Sequence, residues 1–220
     1  FHPRWECLDF YKDEMKDVHK NFIPWDFTKN KELPNKYRLA YCSHVVEHIP
    51  EKDIEIFFGI VFRALEPKSI FRIICPNADL AYEAYGEGRY DFFEIYNSKI
   101  NHSINPKYYL EYLLLDFFAT SKRKKGFNDN YAEEIRRNYR LMKKKEFLNY
   151  LISGITTNTM DGMDHVNWYD FEKIKNLLQK AGFSKIYISG FSQSRSPAMR
   201  DIPRFDGMLP CLTLYVEAIK

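Results

Sequence analysis

Two imidazoles and a carboxylate stand close together in the sequence, at His44, Glu47 and His48. On a helix, residues spaced by three and four positions share one face, and such a set could bind a divalent metal ion. The commoner explanation is a polar brace, in which Glu47 and His48 stabilise a junction between strand and helix. We expect this structural role and predict no metal site. Metal binding by the three residues is the alternative.

Histidines are also the side chains best suited to moving protons near neutral pH, and His44 and His165 are the candidates here. Each has an alternative as a hydrogen-bonded structural residue. Asp9 and Ser43 close apolar stretches that have the pattern of strands. In doubly wound sheets ligands bind outside the carboxyl ends of the strands, so both are binding candidates. The alternative for Asp9 is a turn or a helix cap.

The elements that must position these residues alternate between strands and helices. Strands are predicted at residues 5–9, 22–27, 38–43, 70–75, 186–189 and 212–219. Helices are predicted from Pro50 to a stop before Pro67, and over residues 171–180 between an Asp170 cap and Gly182. The run 70–75 is apolar except for one Arg, which indicates a strand buried on both faces. This alternation indicates an α/β sheet with parallel strands.

The alternation stops between residues 78 and 160, where the pattern is mostly helical. Residues 121–145 contain ten Lys or Arg and three acids, a local net charge of +7 that could attract an anion or simply be solvated. A second candidate for binding an anionic acceptor is the group of arginines Arg195, Arg200 and Arg204. The residues that could line a pocket here, or form the core of a helical cap, are Tyr82, Tyr85, Tyr90, Phe92, Phe93, Tyr96, Asn101 and His102.

Bulk composition is that of a packed globular protein, with 220 residues of which 45% are hydrophobic and 17% aromatic. The net charge of +3 implies no polyanionic partner by itself. No apolar run approaches the roughly 20 residues needed to cross a bilayer, so we expect no membrane association. Cys7, Cys42, Cys75 and Cys211 form no C-x-x-C pair and lie in apolar stretches. We expect buried thiols and a cytoplasmic location.

Three segments in this order resemble class I S-adenosylmethionine-dependent methyltransferases, in particular small bacterial members. Residues 41–49, with the helix and the strand up to residue 76, are similar to the family's fourth strand, helix and fifth strand. Residues 165–183 resemble its last helix, and residues 214–218 resemble its closing strand. The resemblance implies an α/β fold with a Rossmann-like, doubly wound mixed sheet. It implies a single methyltransferase domain over residues 1–220, with a helical insertion or lid at 78–160 after the fifth strand.

The resemblance also implies S-adenosylmethionine as the cofactor and assigns residues to it. Asp9 would accept hydrogen bonds from the ribose hydroxyls. Asp26 would accept a hydrogen bond from the adenine amino group, and Phe27 would cover the face of the adenine ring. Phe27 could equally belong to the core. Ser43 and His44 would face the methionine part.

Methyl transfer is an in-line displacement, so the protein has to position the acceptor and remove its proton. His44 is the first candidate for the base and His165 the second. The expected acceptor is a small molecule or a sugar-like compound, including anionic or nucleotide-linked ones and those of surface-glycan assembly. The sequence predicts no oligomeric state.

No glycine-rich loop of the G-x-G-x-x-G kind appears anywhere in the sequence. In this fold the loop follows a central strand, whose loss would leave unpaired backbone on both neighbours. We therefore expect the domain to be N-terminally incomplete in this sequence. The missing loop favours an alternative function, that of a non-catalytic binding subunit. The presence of Asp9 and His44 argues against this alternative. The basic stretch favours an RNA methyltransferase, but the overall charge makes nucleic acid an unexpected partner.

Overall fold

The computed structural model describes residues 5–9, 21–33, 35–95, 104–156, 164–202 and 204–220. Tyr96, Asn101 and His102, considered above as pocket residues, lie outside these ranges. The strands in this part of the chain are β1 (Cys7–Asp9), β2 (Phe22–Pro24), β3 (Tyr37–Ser43), β4 (Leu65–Pro76), β5 (Lys185–Ile188) and β6 (Thr213–Ile219). The α-helices are α1 (Glu51–Ala64), α2 (Ala78–Gly86), α3 (Tyr90–Glu94), α4 (Tyr109–Gly126), α5 (Asp129–Leu141), α6 (Lys144–Ile152) and α7 (Phe171–Ala181).

Four of the strands form a mixed sheet in the order β3-β4-β6-β5. β3 and β4 run parallel and are joined by the crossover helix α1, whereas β6 is antiparallel to both β4 and β5. β1 and β2 form a second, parallel pair. The α/β fold with a Rossmann-like mixed sheet that the sequence predicts is confirmed.

The β1–β2 pair contacts the larger sheet on the side of β3. The Tyr37 hydroxyl donates a hydrogen bond to Glu6, 2.5 Å away, and the Phe27 ring lies 5.6 Å from the ring of Phe57 in α1. In the doubly wound strand order 3-2-1-4-5-6, the central strand separates strands 2 and 4. Among the described residues, no strand occupies the corresponding position between the β1–β2 pair and β3.

One face of the four-stranded sheet packs against α1 and α7. Phe71, Ile73 and Val216 point to this face because side chains alternate along a strand, and each is at most 1% exposed. Phe58 of α1 and Leu178 of α7 meet them and are fully buried. Burying a large apolar side chain contributes about 1.5–3 kcal/mol. This layer therefore fixes the turn that leads from β3 into α1.

Helix α7 begins and ends where the sequence predicts. The Asp170 side chain accepts a hydrogen bond from the backbone N–H of Lys173 at 2.8 Å, which caps the first turn. Gly182 has a φ of 111°, in the left-handed region that favours glycine. A Cβ atom at Gly182 would also lie 2.8 Å from the ring of Phe62, so glycine is required for two reasons.

Strand β4 begins earlier than predicted. Its first residue, Leu65, already pairs with Tyr37 of β3, and the register then shifts so that Ile70 pairs with Leu39. Lys68, between the predicted end of the helix and the predicted start of the strand, has a φ of 67°. The residues between these two predicted elements therefore form an irregularity inside a longer strand.

The opposite face of the sheet carries a buried charge cluster. Arg72 of β4 is fully buried and forms ion pairs with Asp206 at 2.5 Å and with Glu217 at 3.1 Å. It also donates hydrogen bonds to the Ser189 hydroxyl and the Gly190 carbonyl. Since these partners lie on β6 and on residues 189–206, the loop between β5 and β6 covers this face. The predicted burial of β4 on both faces is confirmed.

The helices between β4 and α7 have a core of their own. Asn77 caps α2 by accepting hydrogen bonds from the N–H groups of Asp79 and Leu80. Phe117 and Phe147 are at most 1% exposed in this core. Helices α2 to α6 thus form a layer with its own packing beyond the end of β4.

Several aromatic residues considered above as pocket lining belong to this helical core. Tyr85, Phe92 and Phe93 are buried in it. Tyr90 is 41% exposed and stacks on Tyr109 with ring centroids 6.3 Å apart. For the three buried residues, the core interpretation accounts for the packing.

Candidate functional site

The parallel strands β3 and β4 end side by side, with Ser43 opposite Ile74. His44 follows directly, and its backbone N–H donates to the Ile74 carbonyl at 2.9 Å. Asn77 follows the end of β4. Because ligands in open α/β sheets bind outside such carboxyl ends, the edge formed by these residues is the candidate site.

His44 has a backbone conformation that few residue types adopt. Its φ of 49° lies in the left-handed region, which costs a non-glycine residue on the order of 1 kcal/mol or more. The imidazole Nδ1 lies 3.2 Å from Oε1 of Glu47, and the side chain is 16% exposed. Its Nε2 is buried without a hydrogen-bond partner among the described residues. The end of β3 therefore carries a buried nitrogen whose hydrogen-bonding capacity the described residues do not use.

Glu47 is a buried carboxylate in a short 3-10 turn, Val46–His48. Its Oε1 faces His44, whereas Oε2 has no hydrogen-bond partner in the described part of the chain. Burial opposes its ionisation, but the hydrogen bond with His44 and the charges of nearby histidines hold the pKa of Glu47 below its ordinary value. The site thus contains a negative charge with an unused oxygen.

Residues 164–169 bring further polar groups to this turn. The backbone N–H groups of Val166 and Asn167 both donate to the carbonyl of Glu47, each at 3.0 Å. The N–H of His165 donates to the carbonyl of Phe118 in α4 at 3.2 Å. The segment is therefore held between the end of β3 and the helical layer, and it carries His165 to Glu47.

Glu47, His48 and His165 form a compact group. One potential metal-ligand atom of each lies within 4.8 Å of the other two, and the imidazole rings are 5.6 Å apart. Nδ1 of His48 is 2.8 Å from the carbonyl oxygen of Asp164. The sequence suggested that His44, Glu47 and His48 share a helix face. The structure instead groups Glu47 and His48 with His165, because the chain forms a 3-10 turn here and residues 164–169 fold back onto it.

His165 lies in apolar surroundings. It is 5% exposed, and its ring centroid lies 6.2 Å from that of Phe117 and 6.5 Å from that of Phe118. Burial lowers the pKa of His165 to about 4, against the attraction of Glu47. His165 is therefore a neutral imidazole at physiological pH. A neutral imidazole can accept a proton or bind a metal ion.

The predicted cofactor residues occupy the ends of the other parallel pair and of β3. Asp9 is the last residue of β1. Asp26 lies after β2 and accepts hydrogen bonds from the N–H and the hydroxyl of Thr28, at 3.0 and 2.6 Å. The hydrogen bond from the Thr28 hydroxyl lowers the pKa of Asp26. The ring of Phe27 packs against Phe57, as a core residue would. These assignments remain predictions.

The structure joins some of the predicted residues and leaves others apart. His44, which follows Ser43, is connected to His165 through Glu47, whereas Asp26 bonds to Thr28 and Phe27 lies against Phe57 of α1. The sequence interpretation named His165 as a candidate but did not predict that residues 164–169 pack onto the turn at Glu47. The available signal was the polar pair Asp164 and His165, with Asn167, directly before a well-capped helix.

Some basic residues of the helical layer form ion pairs, Lys122 donates hydrogen bonds to the carbonyls of Tyr150 and Leu151, and others have exposed side chains. Arg123, Arg136 and Lys144 form ion pairs within the described structure. The exposed cations of residues 121–145 are Lys124, Lys125, Arg137, Arg140, Lys143 and Lys145. In the later loop, Arg200 donates to the carbonyl of Ser194 at 2.6 Å, and Arg204 lies 3.3 Å from Asp201.

No protein-family model and no curated protein matches this chain. Among solved structures, it is similar to a possible exported protein from Bordetella parapertussis, with 11% identity and a TM-score of 0.41. It is also similar to the plantazolicin methyltransferase BpumL in complex with a monoazolic desmethylPZN analog and SAH, with 12% identity and a TM-score of 0.40. A third similar structure is PKMT2 from Rickettsia typhi, with 14% identity and a TM-score of 0.38.

These alignments cover 97%, 98% and 93% of this chain but only 52%, 66% and 39% of the three structures. The chain thus spans about half the length of the first of them. At such identities and TM-scores, nothing about the site follows from the likeness. Separately, no helix in the described ranges has the length and apolar character needed to span a bilayer.

Proposed function

We propose that this protein is an S-adenosylmethionine-dependent methyltransferase acting on a small-molecule or sugar-like acceptor. The observation that carries the proposal is the buried Nε2 of His44, which lies just after the carboxyl end of a parallel strand and has no hydrogen-bond partner among the described residues. The sequence resemblance described above supports it independently, because that resemblance includes Ser43 and His44 at this strand end. A class I methyltransferase would bind its cofactor and acceptor there.

The chain's residues fit the cofactor at several points. Asp9 would hold the ribose, Asp26 and Phe27 the adenine, and Ser43 and His44 the methionine end. Asp26 bonds to Thr28 through Oδ1 and pairs with Lys29 through Oδ2 at 3.1 Å. Each carboxylate oxygen has two lone pairs, so Oδ2 keeps acceptor capacity for an adenine amino group. When bound, S-adenosylmethionine supplies a methyl carbon activated by a sulfonium group.

His44 would act as the base. With its Nδ1 proton donated to Glu47, its Nε2 carries the lone pair. Nε2 would accept the proton that the acceptor hydroxyl or amine loses, as the bond to the methyl carbon forms and the carbon–sulfur bond breaks. The electron pair of the broken bond remains on sulfur. Glu47 would stabilise the imidazolium formed.

The cofactor proposal is tested by calorimetric titration of S-adenosylmethionine into the intact protein, with Asp9→Asn as the variant and Asp91→Asn as the control. Asp91 is exposed and pairs only with Arg89 among the described contacts. We expect micromolar binding that Asp9→Asn weakens by about 10- to 100-fold and Asp91→Asn leaves unchanged. Absence of binding by the folded protein would overturn the enzyme proposal and favour a non-catalytic subunit.

The base is tested by His44→Asn. We expect kcat to fall by about 100- to 10,000-fold, with a smaller loss of affinity for S-adenosylmethionine because His44 would also contact its methionine end. The readout is the formation of S-adenosylhomocysteine with a panel of sugar, nucleotide-linked and phenolic acceptors. An unchanged kcat would exclude His44 as the base.

The acceptor proposed here is a small molecule, with anionic and nucleotide-linked compounds as the leading candidates. The exposed cations of residues 121–145 support an anionic acceptor, and competition by RNA at moderate salt would reveal the nucleic-acid alternative. We propose a cytoplasmic location, supported by the buried thiols of Cys42 and Cys75. Fractionation of cells would test it.

We also propose that residues 1–220 belong to one methyltransferase domain completed by a central strand and a glycine-rich loop. The support is the unfilled position between the β1–β2 pair and β3 among the described strands. Hydrogen exchange tests it in the intact protein. The amides of β3 that β4 does not engage should be protected if a further strand pairs there, and should exchange rapidly if none does.

A further inference from the structure

The group formed by Glu47, His48 and His165 contains a carboxylate oxygen that the proposed methyl transfer does not use. Glu47 is 2% exposed, and its Oε2 has no hydrogen-bond partner among the described residues. An ionised carboxylate is costly to bury unless it is paired or coordinates a metal. Its other oxygen is already engaged by His44. Oε2 therefore requires a partner that the described protein atoms do not provide.

We propose that Glu47, His48 and His165 bind one divalent transition-metal ion of the zinc class. The three potential ligand atoms lie within 4.8 Å of one another. Around a tetrahedral zinc ion, neighbouring ligand atoms are roughly 3.4 Å apart, as follows from metal–ligand bonds of about 2.1 Å. Small side-chain movements would bring the ligand atoms from within 4.8 Å of one another to the spacing that a zinc ion requires.

The surroundings hold the three ligands in position. The two N–H groups that bind the Glu47 carbonyl fix the backbone of the 3-10 turn. If Nδ1–H of His48 donates to the Asp164 carbonyl, its Nε2 is left as the metal ligand. Hydrogen bonds of this kind from metal-binding imidazoles to carbonyls set the ring orientation and the tautomer. His44 would serve Glu47 in the same way through Oε1.

The chemistry of the group selects the ion. Two imidazoles and one carboxylate suit zinc, cobalt, nickel or ferrous iron, whereas calcium and magnesium prefer sets of oxygen ligands. Three protein ligands leave at least one coordination position open, as in catalytic zinc sites. The imidazole of His44 contacts Glu47 through Nδ1, so an acceptor oxygen in the open coordination position would lie in the neighbourhood of the proposed base. His165 would then be a metal ligand and not a base.

The proposal is tested with zinc and cobalt added to chelator-stripped, intact protein, without cofactor or acceptor. We expect saturable binding of one ion per chain by calorimetry and a visible absorption band with cobalt. X-ray absorption at the zinc edge should indicate two imidazole ligands. Because the readout is metal binding itself, it does not depend on whether the protein transfers methyl groups.

The variants are Glu47→Gln and His165→Gln, each with circular dichroism to establish folding. Loss of a ligand should weaken zinc binding by more than about 100-fold, since even outer-shell changes cost about 10- to 100-fold. Glu55→Gln is the control, because Glu55 lies on the exposed side of α1 and pairs with Lys180. The absence of a saturable site in the folded wild type, or equal binding by a folded Glu47→Gln or His165→Gln protein, would overturn the proposal.

Discussion

Arg72 and Glu217 lie directly opposite each other on the antiparallel strands β4 and β6, with Nη1 of the guanidinium 3.1 Å from Oε1 of the carboxylate. Both side chains are completely buried. Asp206 completes the cluster from the loop between β5 and β6. The sheet is thus held together by charges as well as by its apolar layer.

Replacing Arg72 by leucine should destabilise the protein by about 3–5 kcal/mol, because two carboxylates would remain buried without their cation. Urea unfolding would measure the change. The control is Arg38→Leu, since the ion pair of Arg38 with Glu66 is exposed and should be worth less than about 1 kcal/mol. Equal costs for the two variants would show that the buried cluster does not stabilise the sheet.

The same cluster predicts acid sensitivity. Burial opposes ionisation of Glu217, but hydrogen bonds from Ser194, Arg195 and Tyr187 and the charge of Arg72 hold its pKa below the ordinary value of 4.5. A lowered folded-state pKa gives stability that is present above pH 4.5 and is lost as the pH falls through the folded value.

The test compares the free energies of unfolding of wild type and Glu217→Gln as a function of pH. The difference should be largest near neutral pH and should shrink as the pH falls below about 4.5, because Glu217 is then protonated in the unfolded protein while the folded protein still holds it ionised. Glu66→Gln is the control, because the ion pair of Glu66 with Arg38 is exposed and such pairs contribute less than about 1 kcal/mol. A difference that stays constant down to pH 3 would contradict the assignment.

Gly182→Ala should destabilise the protein by about 1–2 kcal/mol or more. The left-handed backbone penalises any side chain there, and the new methyl group would press on the ring of Phe62. Gly126→Ala is the matched change at the end of α4, where a Cβ meets nothing within 4 Å. It should be neutral or stabilising by up to about 1 kcal/mol. Thermal unfolding measures the stability of both variants. A Gly126→Ala protein that is less stable than the Gly182→Ala protein would contradict this account.

The backbone of His44 can be tested apart from its imidazole. Asparagine tolerates the left-handed region, whereas a β-branched residue does not. His44→Val should therefore be less stable than His44→Asn by about 1–3 kcal/mol, although both lack the imidazole. Chemical denaturation measures the difference. Equal stability would mean that the turn after β3 relaxes when the side chain changes.

Much of the fold could be predicted because its signals are local. The alternation of apolar residues located β3, α1 and β6 to within a residue or two, and the cap and glycine at Asp170 and Gly182 located α7. These features depend on neighbours along the chain, which sequence periodicity reports directly. The pairing of β3 with the first residues of β4 depends on the register across the sheet, which no local pattern specifies. The predicted start of β4 was therefore wrong.

The site was only partly predictable for the same reason. His44 and Glu47 are close in sequence, and their proximity was visible. The contact of His165 with this turn depends on how residues 164–169 return from the helical layer, which no local pattern specifies. Arg72 was recognised as an exception in an apolar run, but its partner Asp206 lies 134 residues further along the chain.

The burial of Arg72 has a consequence for how the protein is made. During synthesis, Arg72 leaves the ribosome 134 residues before Asp206 and 145 residues before Glu217. Until both carboxylates have been translated, the guanidinium must stay in water, because burying it alone is prohibitively costly. The sheet can therefore close only after the last strand has emerged, whereas helices α2 to α6 have all been translated by residue 152.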